Sequence, residues 1–238
     1  MSTMKTAILL CENFARVRAE FPEIPPYAQT FVDMLESASG AECAGTIEVF
    51  DVKNGELPAR AADFDKYIIT GSLASAYERT EWIVRLKKFA VAAAKKDAKL
   101  VGICFGHQLL AEAFGGKAER SPKGWGVGRR VSELKDGALK KYFPARKFVL
   151  EYSHHDQVVV PPKNAAVLSG SDFCPVESMR IGDFALTFQG HPEFTPEYSN
   201  ALFKFFENSF SESEKAAYFD NAALPCDSSA VARAIADF

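Results

Sequence analysis

The sequence lacks the features that mark membrane, secreted and nucleic-acid-binding proteins. No apolar run approaches the roughly 20 residues that a membrane-spanning helix needs, and the apolar stretch at residues 7–11 is too short for a secretory signal. The 28 Lys and Arg residues are outnumbered by 31 Asp and Glu residues, and no basic stripe is interleaved with aromatic side chains. We therefore expect a cytoplasmic protein whose partners include neither a membrane nor a nucleic acid.

Cysteine is scarce and scattered, which excludes further classes. The five cysteines are odd in number and form no C-x-x-C pair, so the sequence predicts neither a disulfide framework nor a redox dithiol. Cys104 and His107 have the spacing of two metal ligands, but no second pair lies nearby to complete a structural zinc site. The phosphate-binding P-loop is missing too. We expect no metal and no cofactor.

What the sequence does contain is typical of one sizeable globular α/β domain. Of its 238 residues, 47% are hydrophobic and 25% are charged. Short apolar strands alternate with helical patterns through the first half, which indicates a mostly parallel central sheet flanked by helices. Short, closely spaced strands in the second half predict an antiparallel extension of that sheet. We place the domain at residues 1–210 and expect residues 211–238 to form a C-terminal extension that packs on it or frays.

The periodicity of apolar residues predicts the individual elements. Helices are predicted at residues 27–37, 82–94, 105–114 and 196–208. Strands are predicted at residues 6–10, 46–51, 67–70, 100–103, 127–131, 147–152, 158–160, 166–168, 176–180 and 184–188. Residues 12–25 form a long connection between the first strand and the first helix, and we expect them to lack regular structure.

The segment around Cys104 carries the clearest chemical signal. An apolar strand runs directly into Cys104 and then into a helix, with Gly102 two residues before it and Gly106 two residues after it. This G-x-C-x-G pattern is typical of a nucleophile elbow, a sharp turn that strains the nucleophile's backbone and lifts its side chain above the sheet edge. The helix N-terminus also favours a thiolate over a thiol. We interpret Cys104 as a catalytic nucleophile. The remaining cysteines are interpreted as buried structural residues: Cys11, Cys43, Cys174 and Cys226.

A thiolate nucleophile needs a group that transfers protons and a third group that orients it. His191 lies in a turn fixed by a glycine and a proline, and Glu193 follows two residues later. Because side chains two residues apart share a face in an extended segment, Glu193 can bond one ring nitrogen of His191 and leave the other toward the sulfur. The sequence therefore combines Cys104 with His191 and Glu193. His107, on the helix after the elbow, is expected to pack beside it.

These segments resemble the two signature blocks of the class I, triad-type glutamine amidotransferases. The blocks are G-I-C-F-G-H-Q-L-L at residues 102–110 and Q-G-H-P-E-F at residues 189–194. Further segments match in order, at residues 68–72, 75–78, 82–83, 122–128 and 153–158. The resemblance implies the flavodoxin-like fold of that family. Within that family, the sequence is similar to the stand-alone proteins related to the GMP synthase glutaminase domain, including γ-glutamyl peptidases.

The resemblance implies hydrolysis of a γ-glutamyl amide. Cys104 would attack the side-chain carbonyl, His191 oriented by Glu193 would protonate the departing ammonia, and water would cleave the glutamyl thioester. The backbone N–H groups of Gly71 and Phe105 would hold the oxyanion. The residues at family positions of the substrate pocket are Gln108, His154, Asp156 and Ser72, the last standing where many relatives have a second glycine. The glutamine of this set would contact the α-amino and carboxylate end of the substrate, while the histidine and the aspartate suit a structural role equally well.

The sequence leaves the substrate and the acceptor of the released nitrogen open. Three hypotheses stand: a stand-alone hydrolase or transferase for glutamine or another γ-glutamyl compound, a glutaminase subunit that supplies ammonia to a separate synthase, and a regulatory binding module without turnover. The complete set of three catalytic residue types argues against the third. Residues 12–25 leave the same sheet edge as the elbow, and Phe14, Arg16 and Arg18 suit a ring or a carboxylate. We therefore favour a small-molecule substrate larger than glutamine that contacts this connection.

Overall fold

The computed structural model describes residues 4–39 and 45–238. Its helices are α1 (Ala15–Glu20), α2 (Tyr27–Ser39), α3 (Glu81–Ala94), α4 (Phe105–Ala113), α5 (Pro196–Phe205), α6 (Glu212–Asp220) and α7 (Ser228–Ala236). Its strands are β1 (Lys5–Leu10), β2 (Thr46–Asp51), β3 (Lys66–Ile69), β4 (Lys99–Ile103), β5 (Lys117–Arg120), β6 (Gly126–Leu134), β7 (Lys147–His154), β8 (Asp156–Val160), β9 (Ala165–Gly170), β10 (Ser178–Ile181) and β11 (Ala185–Phe188). None of these helices is both long and apolar enough to cross a membrane.

A nine-stranded sheet forms the centre of the molecule, in the order β2-β1-β3-β4-β11-β10-β9-β6-β7. The first five strands of this order run parallel to one another. The other four are antiparallel to their neighbours. The predicted parallel sheet with an antiparallel extension is therefore confirmed. β5 and β8 form a separate antiparallel pair beside α4.

The parallel strands are covered on both faces, which explains their unbroken apolar sequences. In register, Ile68 of β3 lies between Ile8 of β1 and Val101 of β4, and the three pack on the α2 side of the sheet. The next residue of β3, Ile69, faces the opposite side together with Leu86 of α3. Because β3, β4 and β11 are parallel, their carboxyl ends meet at one edge. That edge brings together residues 70–71, 104 and 189–191.

The residues after 210 form two helices that pack on the same body. Val231 and Ile235 of α7 are buried in the main core, and Lys66 Nζ donates to the Ile235 carbonyl oxygen at 2.8 Å. Asp227 pairs with the edge strand β7: the Val149 N–H donates to its carboxylate, and its own N–H donates to the Val149 carbonyl, both at 2.8 Å. This pairing satisfies backbone groups at a sheet edge that would otherwise be open to another chain.

Within residues 1–210, one helix and one strand are missing from the sequence-based expectation. Residues 12–25 contain the helix α1, so the expectation that they lack regular structure is wrong. This helix has only six residues and buries only Val17, so it has no apolar periodicity. It follows Phe14, whose φ of 50° is left-handed, and therefore also lacks the polar N-cap that would indicate a helix start. β5 is also absent from the expectation, because a four-residue strand with one buried side chain gives too little alternation to recognise.

Candidate active site

Cys104 occupies a strained turn between β4 and α4. Its φ of 52° and ψ of −103° lie outside the regions that side-chain-bearing residues normally adopt. Both flanking glycines are required by close backbone contacts: a Cβ on Gly102 would lie 2.5 Å from the Gly106 carbonyl oxygen, and one on Gly106 would overlap the Ile69 carbonyl oxygen. The Cys104 N–H donates to the Phe188 carbonyl at 2.8 Å, which fixes the turn to β11. The G-x-C-x-G pattern thus has a direct steric cause.

His191 follows β11 and lies at the same sheet edge. Its Nδ1 is 2.7 Å from Glu193 Oε1, and its backbone N–H donates to the Glu151 carbonyl at 2.8 Å. Its ring stacks on Phe194, with the ring centres 4.0 Å apart. Nε2, the other ring nitrogen, is buried and has no hydrogen-bond partner within the residues that the structure describes. One nitrogen is therefore fixed and the other is left for a reacting group.

Gly71 lies between the sulfur-bearing residue and the imidazole. A Cβ built on Gly71 would be 3.1 Å from His191 Cε1 and 3.7 Å from Cys104 Cβ, so the two side chains are neighbours across this glycine. Burial by itself disfavours a charged His191 ring, but the charges of Glu193 and Cys104 outweigh it and raise the pKa of His191 above its ordinary value. The charge of Glu193 in particular therefore favours a protonated His191 ring next to the cysteine.

The predicted oxyanion donors have different surroundings. Phe105 is the first residue of α4, where backbone N–H groups have no acceptor within the helix. The Gly71 N–H instead donates to the Tyr27 hydroxyl at 3.2 Å. Because a backbone amide has one hydrogen, the Gly71 N–H that the sequence assigns to the oxyanion is already engaged in this structure. Ser72, the next residue, lines the cavity above Cys104.

The other predicted pocket residues converge on the same cavity, which has a volume of about 420 Å³. Gln108 Nε2 donates to the Asp156 carbonyl at 2.8 Å and to Gln189 Oε1 at 3.1 Å. His154 Nδ1 lies 3.0 Å from the same Asp156 carbonyl, and burial lowers the pKa of His154 to about 3. The Tyr77 hydroxyl is 3.4 Å from the Asp156 carboxylate. A neutral histidine and an anchored glutamine therefore form one wall.

His107 is enclosed beneath the elbow, as the sequence predicts. Its Nδ1 is 2.7 Å from Thr187 Oγ1 and its Nε2 is 3.2 Å from the Val176 carbonyl. Complete burial lowers the pKa of His107 to about 3, so the ring is neutral at physiological pH. With both nitrogens occupied, His107 supports the turn and leaves proton transfer to another group.

The model of the class I glutamine amidotransferase family matches residues 30–209 of this chain. The chain belongs to this family. It is accordingly a hydrolase-type enzyme of the class I glutamine amidotransferases, and the resemblance of its two signature blocks reflects membership.

Relatives and solved structures extend the comparison. γ-Glutamyl peptidase 2 of Arabidopsis thaliana is 36% identical over 156 residues, which cover 63% of this chain and 62% of the peptidase, less than two-thirds of its length. A glutamine amidotransferase-like protein of Schizosaccharomyces pombe is 32% identical and is matched over 95% of this chain and 98% of its own. The crystal structure of a glutamine amidotransferase from Thermotoga maritima covers 99% of this chain and 95% of its own with a TM-score of 0.72 at 16% identity, which shows a common fold.

The amidotransferase site contains a buried tyrosine that the sequence analysis does not single out. Tyr27, the first residue of α2, donates its hydroxyl hydrogen to Glu193 Oε1 at 2.9 Å while accepting the Gly71 N–H. It follows two prolines in a segment with no recognisable motif, so no local pattern predicts this role. Its signal is the pairing of a fully buried tyrosine with a buried carboxylate.

The outer part of the amidotransferase cavity is also only partly anticipated. Phe14 lines it, as expected for residues 12–25, but Arg16 and Arg18 do not. The expectation that these two arginines contact the substrate is therefore not supported by the lining of the cavity. Arg120, at the end of β5, lines the cavity in their place, and its Nε donates to His155 Nε2 at 3.0 Å.

Three of the four remaining cysteines of the amidotransferase lie in the described part of the chain, and none of these three lines the cavity. Cys11 and Cys174 are completely buried, and burial raises the pKa of each thiol well above its ordinary value. Cys226 is partly buried beside β7, with its Sγ 3.5 Å from the Val149 carbonyl. Cys43 lies outside the described residues. The three described thiols fit the structural role that the sequence predicts for them.

Proposed function

We propose that this amidotransferase hydrolyses γ-glutamyl amides through a thioester on Cys104. The observation that carries the proposal is the position of Cys104 in a strained turn, next to a histidine whose far nitrogen is bonded to a buried glutamate. Nucleophile, proton-transfer group and orienting group are the three parts that covalent acyl transfer requires. Family membership supports the same reaction class.

Each proton in the proposed cycle has a defined route. The Cys104 thiolate attacks the γ-carbonyl carbon, and as the C–N bond breaks, His191 gives its Nε2 proton to the departing nitrogen. Water then attacks the thioester, the neutral His191 takes a proton from that water, and the C–S bond breaks to restore the thiolate. Glu193 holds Nδ1 throughout, which stabilises the imidazolium of the resting and final states.

The oxyanion formed in both steps needs two donors aimed at one point. We assign the Phe105 N–H at the start of α4 and the Ser72 N–H on the opposite wall. Phe105 is the residue after the nucleophile, and the dipole of α4 strengthens the attraction of its N–H for a negative charge. The Ser72 N–H replaces the Gly71 N–H, which the Tyr27 hydroxyl already accepts.

The proposed substrate is a γ-glutamyl compound with a leaving group larger than ammonia. Beyond Cys104 the cavity is lined by bulky apolar side chains, which suit an organic leaving group: Phe14, Leu73, Trp125, Leu202, Phe206 and Phe210. The γ-glutamyl peptidase relative supports this class. We propose that the protein acts as a stand-alone enzyme. The alternative function is that of a glutaminase subunit that supplies ammonia to a synthase. The cytoplasmic location of the protein stays a prediction.

A panel of substrates tests this assignment. Purified wild-type protein is assayed with glutamine, γ-glutamyl-phenylalanine and a γ-glutamyl amine, with release of ammonia, amino acid or amine measured directly. We expect kcat/KM for the dipeptide to exceed that for glutamine by at least about tenfold, since burying one additional apolar side chain contributes roughly 1.5–3 kcal/mol.

Other results would change the function. Glutamine as the best substrate by far, with turnover that rises only when a synthase is added, would replace the proposal with an ammonia-supplying subunit. No turnover of any member of the panel would leave a binding module.

A further inference from the structure

Tyr27 joins two parts of the site that come from distant segments of the chain. Its hydroxyl donates to Glu193 Oε1 at 2.9 Å and accepts the Gly71 N–H at 3.2 Å. A hydroxyl has one hydrogen, so the directions of both hydrogen bonds are defined. The tyrosine hydroxyl donates to the carboxylate, and the Gly71 amide donates to the hydroxyl oxygen. The residue is 1% exposed, and burial followed by the charge of Glu193 raises its pKa well above its usual value, so it stays a donor at all relevant pH values.

The ring of Tyr27 is held by an aromatic cluster. It packs edge-on against Phe14 and Phe31 and stacks with Tyr198, with ring centres 5.0, 5.2 and 5.8 Å away. Phe194 completes the cluster and stacks on the other side against the His191 ring. The packing therefore fixes the position of the Tyr27 hydroxyl relative to the imidazole, and it also fixes the geometry of both hydrogen bonds.

Glu193 Oε1 has two donors, Tyr27 and His191 Nδ1. The hydrogen bond from the tyrosine partly neutralises the negative charge of the carboxylate, which weakens the attraction of the carboxylate for the imidazolium. The same hydrogen bond restricts rotation of the carboxylate. Gly71, at the other end, lies between Cys104 and His191. Tyr27 is thus placed to set both the orientation of the glutamate and the path of the backbone beside the sulfur.

We propose that Tyr27 is a positioning residue for the reaction: its hydroxyl fixes Glu193 and the Gly71 peptide relative to Cys104 and His191. The proposal rests on the proposed function, in which these residues carry out γ-glutamyl hydrolysis. Tyr27 touches neither the attacked carbon nor the transferred proton, and it acts through its two partners.

Loss of the hydroxyl has a predictable electrostatic effect. The titratable groups facing the His191 ring and its carboxylate partner are Cys104, His154, Glu193, Tyr27 and Tyr198. Of these, His154 is neutral because burial lowers its pKa to about 3, and burial raises the pKa of Tyr198. Removing the hydrogen bond to Glu193 concentrates its charge on the imidazolium, which raises the pKa of His191 further. An imidazolium with a higher pKa gives up its proton less readily to the departing nitrogen, so we expect kcat to fall.

Tyr27→Phe tests the proposal, and the same cluster supplies a matched control. Tyr198→Phe removes a buried hydroxyl that has no hydrogen-bond partner within the described part of the chain, from a ring stacked on Tyr27. We expect Tyr27→Phe to lower kcat by about tenfold to a hundredfold with KM changed by less than about twofold, and Tyr198→Phe to leave both near wild type. In a Glu193→Ala background, Tyr27→Phe should cost less than it does alone, because the two act together.

A titration of His191 by NMR provides a readout that needs no substrate. The chain has four histidines, and burial lowers the pKa values of His107 and His154 to about 3. A His155→Gln variant then assigns the signal of His191. We expect its titration to move to higher pH in Tyr27→Phe and to stay in place in Tyr198→Phe. An unmoved titration, or equal loss of kcat in the two variants, would overturn the proposal. If the wild-type protein hydrolyses no γ-glutamyl substrate, the proposed function fails while the titration still decides the role of Tyr27.

Discussion

The floor and the rim of the cavity are built in different ways. The floor consists of Tyr27, Cys104, His191 and Glu193, and the rim consists of Leu73, Tyr77, Arg120, His155 and Trp125. No floor residue is more than 6% exposed, whereas Leu73 is 59% exposed and Tyr77 is 40% exposed. The floor is fixed by backbone strain and buried hydrogen bonds. The rim is held by the Arg120–His155 hydrogen bond and by Trp125, which packs edge-on against His155.

This difference separates reaction chemistry from substrate choice. Acyl transfer requires reacting groups held within a fraction of an ångström, which a buried, hydrogen-bonded floor provides. An exposed rim on short connections accepts substitution without disturbing the core. We therefore expect floor variants to lower kcat on every substrate, and rim variants to change KM in a way that depends on the substrate.

Substitutions in the floor are expected to have larger effects than substitutions in the rim. His191→Ala should lower kcat by about a thousandfold, because it removes the group that gives and takes the proton in both steps. Glu193→Ala should lower it by about tenfold to a hundredfold, because the imidazole stays in place but loses its orienting partner. Steady-state kinetics with glutamine and a γ-glutamyl dipeptide would measure both.

The control for these variants is the pattern across substrates. Equal proportional losses on glutamine and the dipeptide are expected, since in the proposed reaction the floor acts on the γ-carbonyl that both substrates share. A His191→Ala protein that retains wild-type kcat on either substrate would contradict the assigned roles.

A smaller effect is expected in the rim. Arg120 is the one Arg or Lys side chain among the described residues that line the cavity, and its Nε is already held by His155. We expect Arg120→Gln to raise KM for carboxylate-bearing γ-glutamyl substrates by about tenfold with kcat nearly unchanged, because it removes one charge-assisted hydrogen bond.

Arg16→Gln is the matched control for this rim variant. Arg16 is an exposed arginine on α1 that does not line the cavity. A larger effect of Arg16→Gln than of Arg120→Gln would reverse the assignment and restore the role that the sequence predicts for residues 12–25.

Most of the floor is predictable from sequence because its causes are local. The glycines around Cys104 are two residues away, and Glu193 is two residues from His191, so spacing alone identifies the elbow and the orienting pair. The parallel strands are equally recognisable, since burial on both faces leaves continuous apolar runs at β3 and β4. These features follow from neighbours in the sequence.

The rest depends on contacts between distant segments. Tyr27 meets Glu193 across 166 positions of sequence, and Arg120 meets His155 across 35. Nothing next to either residue signals its partner. The same reason explains why the sequence does not reveal that the Gly71 N–H is engaged, because its acceptor is a side chain from α2 that only the folded chain brings near.

Covalent labelling is a direct test of the proposed role of Cys104 as the nucleophile. The protein is treated with a glutamine analogue that carries a chloromethyl ketone in place of the side-chain amide, and the labelled peptides are mapped by mass spectrometry while residual activity is followed. We expect one label per chain on Cys104, with labelling slowed by substrate and activity lost in proportion to the label. The Cys104→Ala variant should show no turnover. Label spread over Cys11, Cys43, Cys174 and Cys226, or hydrolysis by Cys104→Ala at the wild-type rate, would contradict this role.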